Sequence, residues 1–189
     1  MQDDFLADTR VAELIDCARQ RRARGDFADA RIGADLSLQR REEVRGDRIC
    51  WLAEPLFPAE RALLADLDRL RMDFNREGYL GLFDLELHYA CYPAGAGYAR
   101  HVDQLHGRDQ RVVSLVLYLN EHWRPQAGGE LRIFGAADAH RDVAPIAGRL
   151  VCFLADVTEH AVLPTHRTRL SITGWFRRRP REAAWSAPG

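Results

Sequence analysis

The chain of 189 residues carries a formal net charge of −1, with 47% hydrophobic and 29% charged residues. This balance is typical of a globular protein with one sizeable core and excludes bulk electrostatic binding of nucleic acid. No segment approaches the run of about 18 apolar residues that a membrane span requires, so we expect neither a membrane nor a nucleic-acid partner. Four widely spaced cysteines and an acidic N-terminus without a secretory pattern favour free thiols and a cytoplasmic location.

Helical periodicity dominates the first 80 residues. A first helix is predicted from a cap at Asp8 or Thr9 to about residue 24, with an apolar face formed by Val11, Leu14, Ile15 and Ala18. A second helix is predicted to follow Pro58 and to end at Gly78, with an apolar face formed by Leu63, Leu67, Leu70 and Phe74. We interpret both as helices that pack on the core.

The polar stretch at residues 35–45 between these helices is interpreted as a loop. It holds three arginines and two glutamates: Arg40, Arg41, Arg45, Glu42 and Glu43. A long charged loop suits a mobile element that closes over a substrate and grips a peptide. The run "RICWLAEP" that follows predicts a strand ending near Pro55.

From residue 85 onward the pattern changes to short apolar runs separated by Gly, Pro or Asp. The runs with the character of strands are "LELHYACY", "VVSLVLYL", "GELRIF", "RLVCFLA", "HAVL" and "RLSITGWF". Many short strands at close spacing predict an antiparallel barrel or sandwich. The arginine run in the tail "RRRPREAAWSAPG" is interpreted as a solvated end rather than a nucleic-acid patch.

The sequence contains two His-x-Asp pairs, His101 with Asp103 and His140 with Asp142. The first follows a Gly-rich turn, and on a strand both of its side chains leave the same face. The second lies in the polar stretch "GAADAHRDVAP", which we interpret as a loop and a chance match. A further histidine, His160, begins a short apolar strand 57 residues after Asp103.

The strand "RLSITGWF" has one apolar face and one polar face, and the polar face consists of Arg169, Ser171, Thr173 and Trp175. A surface strand would alternate in the same way, but Trp175 suits a solvated face poorly. We therefore place this face inside a barrel mouth, where an arginine requires a counter-charge. No acidic residue in the neighbouring strands is an obvious partner, whereas a small dicarboxylate ligand would match the guanidinium fork.

Two histidines and one carboxylate, His101, Asp103 and His160, form the ligand set of a non-haem Fe(II) centre. Such a set leaves metal positions free for a keto acid and dioxygen. Zinc bound by the same three residues is the competing assignment. Zinc hydrolysis, however, gives no reason for an inward arginine nine residues after the last ligand.

These residues and the runs around them resemble a known family. The series His101-Val102-Asp103, His160 and Arg169-x-Ser171 is similar to that of the iron/2-oxoglutarate dioxygenase superfamily. Within it, "YACYPAGAGYARHVD", "LYLNEHW", "GGELRIF" and "RLSITGWF" resemble the prolyl 4-hydroxylase branch. That branch includes the hypoxia-inducible-factor prolyl hydroxylases and the bacterial enzymes acting on elongation factor Tu. The resemblance covers about residues 30–177 and includes "VRGDRICWL" upstream.

The resemblance implies an α+β, mainly β fold, a double-stranded β-helix (jelly roll) with N-terminal packing helices. We expect a single dioxygenase domain over residues 1–180, with its helical part at 1–80 and its β-helix core at 81–177. Residues 181–189 are expected to form a flexible tail. The strands between residues 85 and 176 should form two facing sheets, with the three expected metal ligands converging at one open end.

The resemblance also implies roles for individual side chains. It implies that Fe(II) is bound by His101, Asp103 and His160. It implies that 2-oxoglutarate is contacted by Arg169, Tyr118, Tyr92 and Thr173, and that the substrate is contacted by Trp175 and Arg111. Without the resemblance, the two tyrosines could be core residues and Arg111 a surface arginine. The other histidines are interpreted as structural or exposed: His88, His106, His122, His140 and His166.

The leading functional hypothesis is a prolyl 4-hydroxylase that oxidises a proline in a protein loop and converts 2-oxoglutarate and O2 to succinate and CO2. Ascorbate would support it, and elongation factor Tu is the first candidate substrate if the source is bacterial. One alternative is an oxygenase of a free amino acid or another small molecule. Another is a barrel that binds a ligand without redox chemistry, although such a barrel need not retain the full triad together with Arg169.

Overall fold

The computed structural model describes residues 1–30, 45–104 and 110–179. Two helices, α1 (Asp8–Ala23) and α2 (Pro58–Gly78), precede most of the sheet. The strands are β1 (Ala28–Asp29), β2 (Arg48–Trp51), β3 (Asp84–Tyr92), β4 (Tyr98–His101), β5 (Arg111–Tyr118), β6 (Leu131–Phe134), β7 (His140–Val143), β8 (Leu150–Leu154), β9 (His160–Val162) and β10 (Arg169–Arg177).

The strands form two antiparallel sheets, with the orders β1-β2-β3-β10-β5-β8 and β4-β9-β6-β7. From β3 to β10 the chain crosses from one sheet to the other and back, so that each sheet contains four of these eight strands. This connectivity is the double-stranded β-helix, and the prediction of the fold is confirmed. The expectation of a single domain over residues 1–180 stays a prediction.

The two faces of the larger sheet have different partners because side chains alternate along each strand. One face packs against α1 and α2 in a core that includes Val11, Leu14, Leu63, Leu67, Leu87, Tyr89, Leu115, Ile172 and Phe176. The other face turns toward the smaller sheet, where a second cluster contains Val116, Tyr118, Leu131, Val143 and Val151. The helices therefore seal one side of the sheet and leave the inner side for a site.

The predicted helices are present, but their ends differ from the prediction. The first helix begins at Asp8, and the N-cap residue is Ala7 without a side-chain hydrogen bond, so neither Asp8 nor Thr9 acts as the cap. The second helix includes Gly78 as its last residue. The left-handed position that ends it is occupied by Tyr79, with φ 52°, whose N–H donates to the carbonyl of Asn75.

The stretch that contains His140 and Asp142 is an exposed strand, β7, so its interpretation as a loop is wrong. This strand pairs only with β6 and lies at the edge of the smaller sheet. Asp142 forms an ion pair with Arg132 on β6. An edge strand with solvent on one side does not need apolar alternation, which is why the pattern did not reveal it.

Some predictions fall on residues that the structure does not describe, and others concern the cysteines and the helices. Most of the charged loop, residues 35–44, and the tail at 181–189 lie outside the described residues. All four cysteines are free, with Cys17 and Cys50 buried and Cys91 and Cys152 half-buried. Within the described ranges, neither helix has the length and hydropathy needed to cross a membrane.

A buried ion pair ties α1 to α2 beneath the sheet. Arg21, 6% exposed, donates to both carboxylate oxygens of Glu60 at 2.7 Å, and Glu60 is fully buried. The same carboxylate accepts hydrogen bonds from the Tyr89 hydroxyl and the Phe57 N–H. Burial raises the pKa of Glu60, but these hydrogen bonds outweigh burial and lower the pKa below its ordinary value.

We expect Glu60→Ala to lower the free energy of unfolding by about 3–5 kcal/mol, because it leaves the buried Arg21 guanidinium with Asp26, 3.8 Å away, as its nearest carboxylate among the described residues. Urea unfolding followed by circular dichroism measures this loss, and Glu13→Ala, at an exposed position of α1, is the control. Because the folded pKa of Glu60 is depressed, the advantage of the wild type should shrink as the pH falls below about 4.3. A loss as small as that of Glu13→Ala would contradict this account.

Candidate metal centre and cosubstrate pocket

Three potential metal ligands meet where β4 and β9 pair. His101 ends β4 and lies opposite His160, the first residue of β9, while Asp103 follows two residues after His101. The Nε2 atoms of His101 and His160 lie 3.6 Å and 3.7 Å from the Asp103 carboxylate oxygens. The three ligand atoms lie within 4.8 Å of one another, and this is the one such group among the described residues.

Hydrogen bonds to the backbone orient both imidazole rings. Nδ1 of His101 lies 2.7 Å from the carbonyl oxygen of Ala99, and Nδ1 of His160 lies 3.1 Å from that of Thr158. A carbonyl accepts only, so each Nδ1 carries a proton, and the lone pair of a neutral ring is then on Nε2. Both Nε2 atoms lie beside the Asp103 carboxylate, which is the arrangement that a metal ion requires.

The Asp103 carboxylate remains ionised in this site. Burial raises its pKa, but His101, His160 and a 2.6 Å hydrogen bond from the Ser114 hydroxyl hold the pKa well below its usual range. Two imidazole nitrogens and a carboxylate oxygen, without a thiolate, are the donors of a non-haem Fe(II) centre. The donor set and the short distances between its atoms therefore fit Fe(II).

Arg169 is buried with 1% of its surface exposed. Its Nε donates to the carbonyl of Gly129 at 2.8 Å, and Nη1 lies 3.5 Å from the Ser171 hydroxyl. Gly129 has a φ of 72°, and a Cβ there would lie 3.1 Å from Arg169 Cδ, so glycine makes room for the arginine. In the described part of the chain, Arg169 has no carboxylate partner, and a dicarboxylate ligand would supply the missing charge.

Two tyrosines enclose the Arg169 guanidinium. Its Cζ atom lies 5.1 Å from the ring centres of both Tyr92 and Tyr118. The Tyr118 hydroxyl is buried and has no hydrogen-bond partner among the described residues. Burial raises the pKa of both hydroxyls, which keeps them protonated as donors. A carboxylate beside Arg169 would therefore find further donors.

One cavity joins the three ligands to Arg169. Its volume is about 480 Å³ when the open mouth is included. Its walls contain seven of the predicted site residues: His101, Asp103, His160, Arg169, Tyr92, Thr173 and Trp175. Tyr118 and Arg111 are not among the lining side chains, but each contacts one that is.

Arg111 is held in place at the mouth of this cavity. Its guanidinium donates to Glu86 at 2.8 Å and lies over the Trp175 ring, with Cζ 3.5 Å from the ring centre. It is 31% exposed and therefore only partly a surface residue. Glu86 also pairs with Arg177, which pairs with Asp84 as well, so Arg111 packs on Trp175 as part of a cluster of two arginines and two carboxylates.

The cavity is also lined by Arg45, which the sequence placed in the charged loop, and by three side chains to which the sequence gave no role in the site: Asp47, His88 and Tyr98. Arg45 forms a two-pronged ion pair with Asp47 and lies over the Tyr98 ring. Tyr98 in turn stacks on His101 with ring centres 3.7 Å apart. His88 shares a strand face with Tyr92 because they are four residues apart on β3. This spacing is the feature of the sequence that could have placed His88 in the cavity.

Together the fold and the site define a class of protein, a double-stranded β-helix with a two-histidine, one-carboxylate centre beside a buried arginine. The sequence profile of the family described as "2OG-Fe(II) oxygenase superfamily" matches residues 87–177 of this chain. Mouse prolyl hydroxylase EGLN3 is 32% identical over 184 residues, which cover 92% of this chain and 76% of that protein. Human Egl nine homolog 1 is 35% identical over 184 residues, 92% of this chain and 42% of that protein.

Two solved structures support the same relation. The Pseudomonas putida prolyl-4-hydroxylase has a TM-score of 0.85 and 46% identity, covering 94% of this chain and 91% of that one. A Trichoplax adhaerens prolyl hydroxylase, in complex with a hypoxia inducible factor peptide fragment, has a TM-score of 0.84 and 29% identity. It covers 93% of this chain and 81% of that one.

The chain belongs to the prolyl hydroxylase branch of the 2OG-Fe(II) oxygenase superfamily. It spans about half the length of the Egl nine homolog 1 proteins that it matches, 42% of the human, 53% of the rat and 45% of the mouse protein.

Proposed function

We propose that the chain is an Fe(II)- and 2-oxoglutarate-dependent dioxygenase that hydroxylates a proline in a protein. The observation that carries the proposal is a single cavity in which three converging ligand atoms lie beside a buried arginine that has no carboxylate partner. Hydrolysis by zinc would use the three ligands but would leave Arg169 without a role. A ligand-binding barrel would use Arg169 but would not need the lone pairs of both histidines.

In this proposal His101, Asp103 and His160 hold the metal through Nε2, a carboxylate oxygen and Nε2. Bound iron would catalyse the oxidation, in which O2 and 2-oxoglutarate are consumed and succinate, CO2 and a hydroxylated substrate are formed. The backbone carbonyls of Ala99 and Thr158 fix the two imidazole rings, and Ser114 fixes the carboxylate. These hydrogen bonds orient the three ligands before the metal arrives.

Arg169 binds the distal carboxylate of 2-oxoglutarate with its guanidinium group. The Tyr118 hydroxyl donates to the same carboxylate, and Tyr92 and Thr173 line the path from Arg169 toward the metal. Because Arg169 is buried among Tyr92 and Tyr118, water is kept from the salt bridge that forms.

The surroundings of the cavity mouth favour a protein substrate over a free amino acid. Trp51, which contacts His88 and Trp175, is 45% exposed, and Val157, in the turn before His160, is 67% exposed. Exposed apolar side chains beside a site provide contacts for a chain longer than the reacting residue. The charged loop at residues 35–45, of which Arg45 reaches the cavity, is a further candidate contact.

Elongation factor Tu is the first candidate substrate. The test incubates it with the chain, Fe(II), 2-oxoglutarate and ascorbate, and searches its peptides by mass spectrometry for one added oxygen atom on proline. We expect a single modified proline and matching succinate formation. Modification of free proline without modification of any protein would favour the small-molecule oxygenase instead.

Free thiols at all four cysteines support placing this reaction in the reducing cytoplasm.

A further inference from the structure

A stack of planar side chains forms one wall of the cavity. The His88 ring lies 4.8 Å from the Trp51 ring and 5.5 Å from the Trp175 ring, measured between centres. On β10, His88 pairs with Thr173 before Trp175, whereas Arg111 pairs with Arg177 beyond it. Trp175 is therefore flanked by His88 and Arg111, and it offers a ligand its edge rather than a free aromatic face.

The polar atoms of this wall are unsatisfied. Both ring nitrogens of His88 and Nε1 of Trp175 are buried without a hydrogen-bond partner among the residues that the structure describes. His88 is 1% exposed and Trp175 is 5% exposed, and both line the cavity. Buried polar groups of this kind are costly unless a ligand or water completes them.

His88 and Trp175 lie farther along the sheet from Arg169 than Ser171 does. His88 pairs with Thr173, and Trp175 is six residues from Arg169 on β10. Trp175 pairs with Ser114 on β5, and Ser114 donates to Asp103. The wall therefore lies at the level of the metal ligands, where the reacting substrate must approach.

The two side chains that carry the unsatisfied groups, His88 and Trp175, are uncharged. The arginines beside them are ion-paired, Arg45 with Asp47 and Arg111 with Glu86, which also pairs with Arg177. Burial, followed by the positive charges of Arg45 and Arg111, lowers the pKa of His88 to about 3, so its ring is uncharged at neutral pH. An indole N–H can only donate, and a neutral imidazole can donate from one nitrogen. Neutral donors suit an uncharged acceptor oxygen.

We propose that His88 and Trp175 form a subsite that donates hydrogen bonds to a main-chain carbonyl oxygen of the substrate. The inference rests on the proposed function, because it presumes a peptide beside the metal site. It also deepens that function, since a free amino acid would bring a carboxylate to this neutral wall. The subsite thus selects a proline that lies within a chain.

The test uses NMR on the zinc(II) form with 2-oxoglutarate, which does not turn over, and the capped peptide acetyl-Ala-Pro-Ala-amide as the probe. The peptide should move the indole N–H signal of Trp175 downfield, and Trp175→Phe identifies that signal by its loss. We expect His88→Leu to raise the peptide Kd about 3- to 10-fold, the effect of one net hydrogen bond. His88→Gln, which keeps an N–H donor, should recover most of the affinity.

His122→Leu, at an exposed histidine elsewhere, should bind the peptide like the wild type. Free L-proline should leave the Trp175 signal in place. The proposal is overturned if the peptide does not bind, binds without moving that signal, or binds folded His88→Leu with unchanged Kd. A succinate assay of the iron form distinguishes failure of the proposed function from failure of the subsite. If the wild type forms no succinate, the proposed function is refuted. If it forms succinate but the peptide experiment fails, only the subsite is refuted.

Discussion

Asp103→Ala should reduce succinate formation to background and weaken binding of the divalent metal by more than about 100-fold. Loss of a residue that merely supports a metal ligand already costs about 10- to 100-fold, and Asp103 is the one carboxylate among the three ligand candidates. Without Asp103, the divalent metal ion would be bound by two neutral imidazoles alone, with no anionic ligand from the protein. Metal titration by calorimetry and a succinate assay measure the two effects.

The sequence itself provides a matched control, because Asp142 belongs to the second His-x-Asp pair. Asp142→Ala removes a surface ion pair with Arg132 and should leave metal binding and turnover unchanged. Ser114→Ala, which removes the 2.6 Å hydrogen bond to Asp103, should have an intermediate effect of about 10- to 100-fold on metal affinity. Full turnover in Asp103→Ala would exclude the metal centre described above.

Arg169→Ala should raise the KM for 2-oxoglutarate about 10- to 100-fold. The change removes a charge-assisted, two-pronged hydrogen bond worth roughly 1.5–3 kcal/mol. The effect should fall on KM because Arg169 contacts the end of the cosubstrate that does not react. Steady-state assays over a wide range of 2-oxoglutarate concentrations separate KM from kcat.

Arg169→Lys should recover only part of the lost affinity, since an ammonium group lacks the planar fork of a guanidinium. Arg132→Ala, which removes an arginine from a surface ion pair, is the matched control and should leave the KM unchanged. Thermal melting shows whether losing the hydrogen bond from Arg169 to the Gly129 carbonyl affects the fold. An unaltered KM in folded Arg169→Ala would mean that another residue anchors the keto acid.

The sequence by itself determined the type and order of most elements. Short apolar runs bounded by Gly, Pro or Asp identified "LELHYACY" and "RLSITGWF" as strands, and they became β3 and β10 in the middle of the larger sheet. Local patterns are sufficient there because such a run between turn residues predicts a strand whatever its neighbours are. Spacing and residue type likewise selected His101 and Asp103, although only His101 lies on the strand and Asp103 follows its end.

Only the tertiary structure decided which groups meet across the sheets. The pairing of β4 with β9 sets His160 opposite His101, and no local pattern specifies a contact between residues so far apart in the chain. The same holds for His88, which pairs with Thr173 and packs against Trp175. A histidine on a strand looks alike in sequence whether it faces a core, solvent or a ligand, because its surroundings come from other strands.

The structure also decided what each charge does. Arg111 and Arg169 are both arginines at the ends of inner strands, and their sequence contexts do not reveal their partners. Glu86 pairs with Arg111, whereas Arg169 is buried beside two tyrosines without a carboxylate partner in the described residues. An arginine becomes a ligand-binding group only when the folded chain buries it and supplies no counter-charge, and that balance depends on every strand around it.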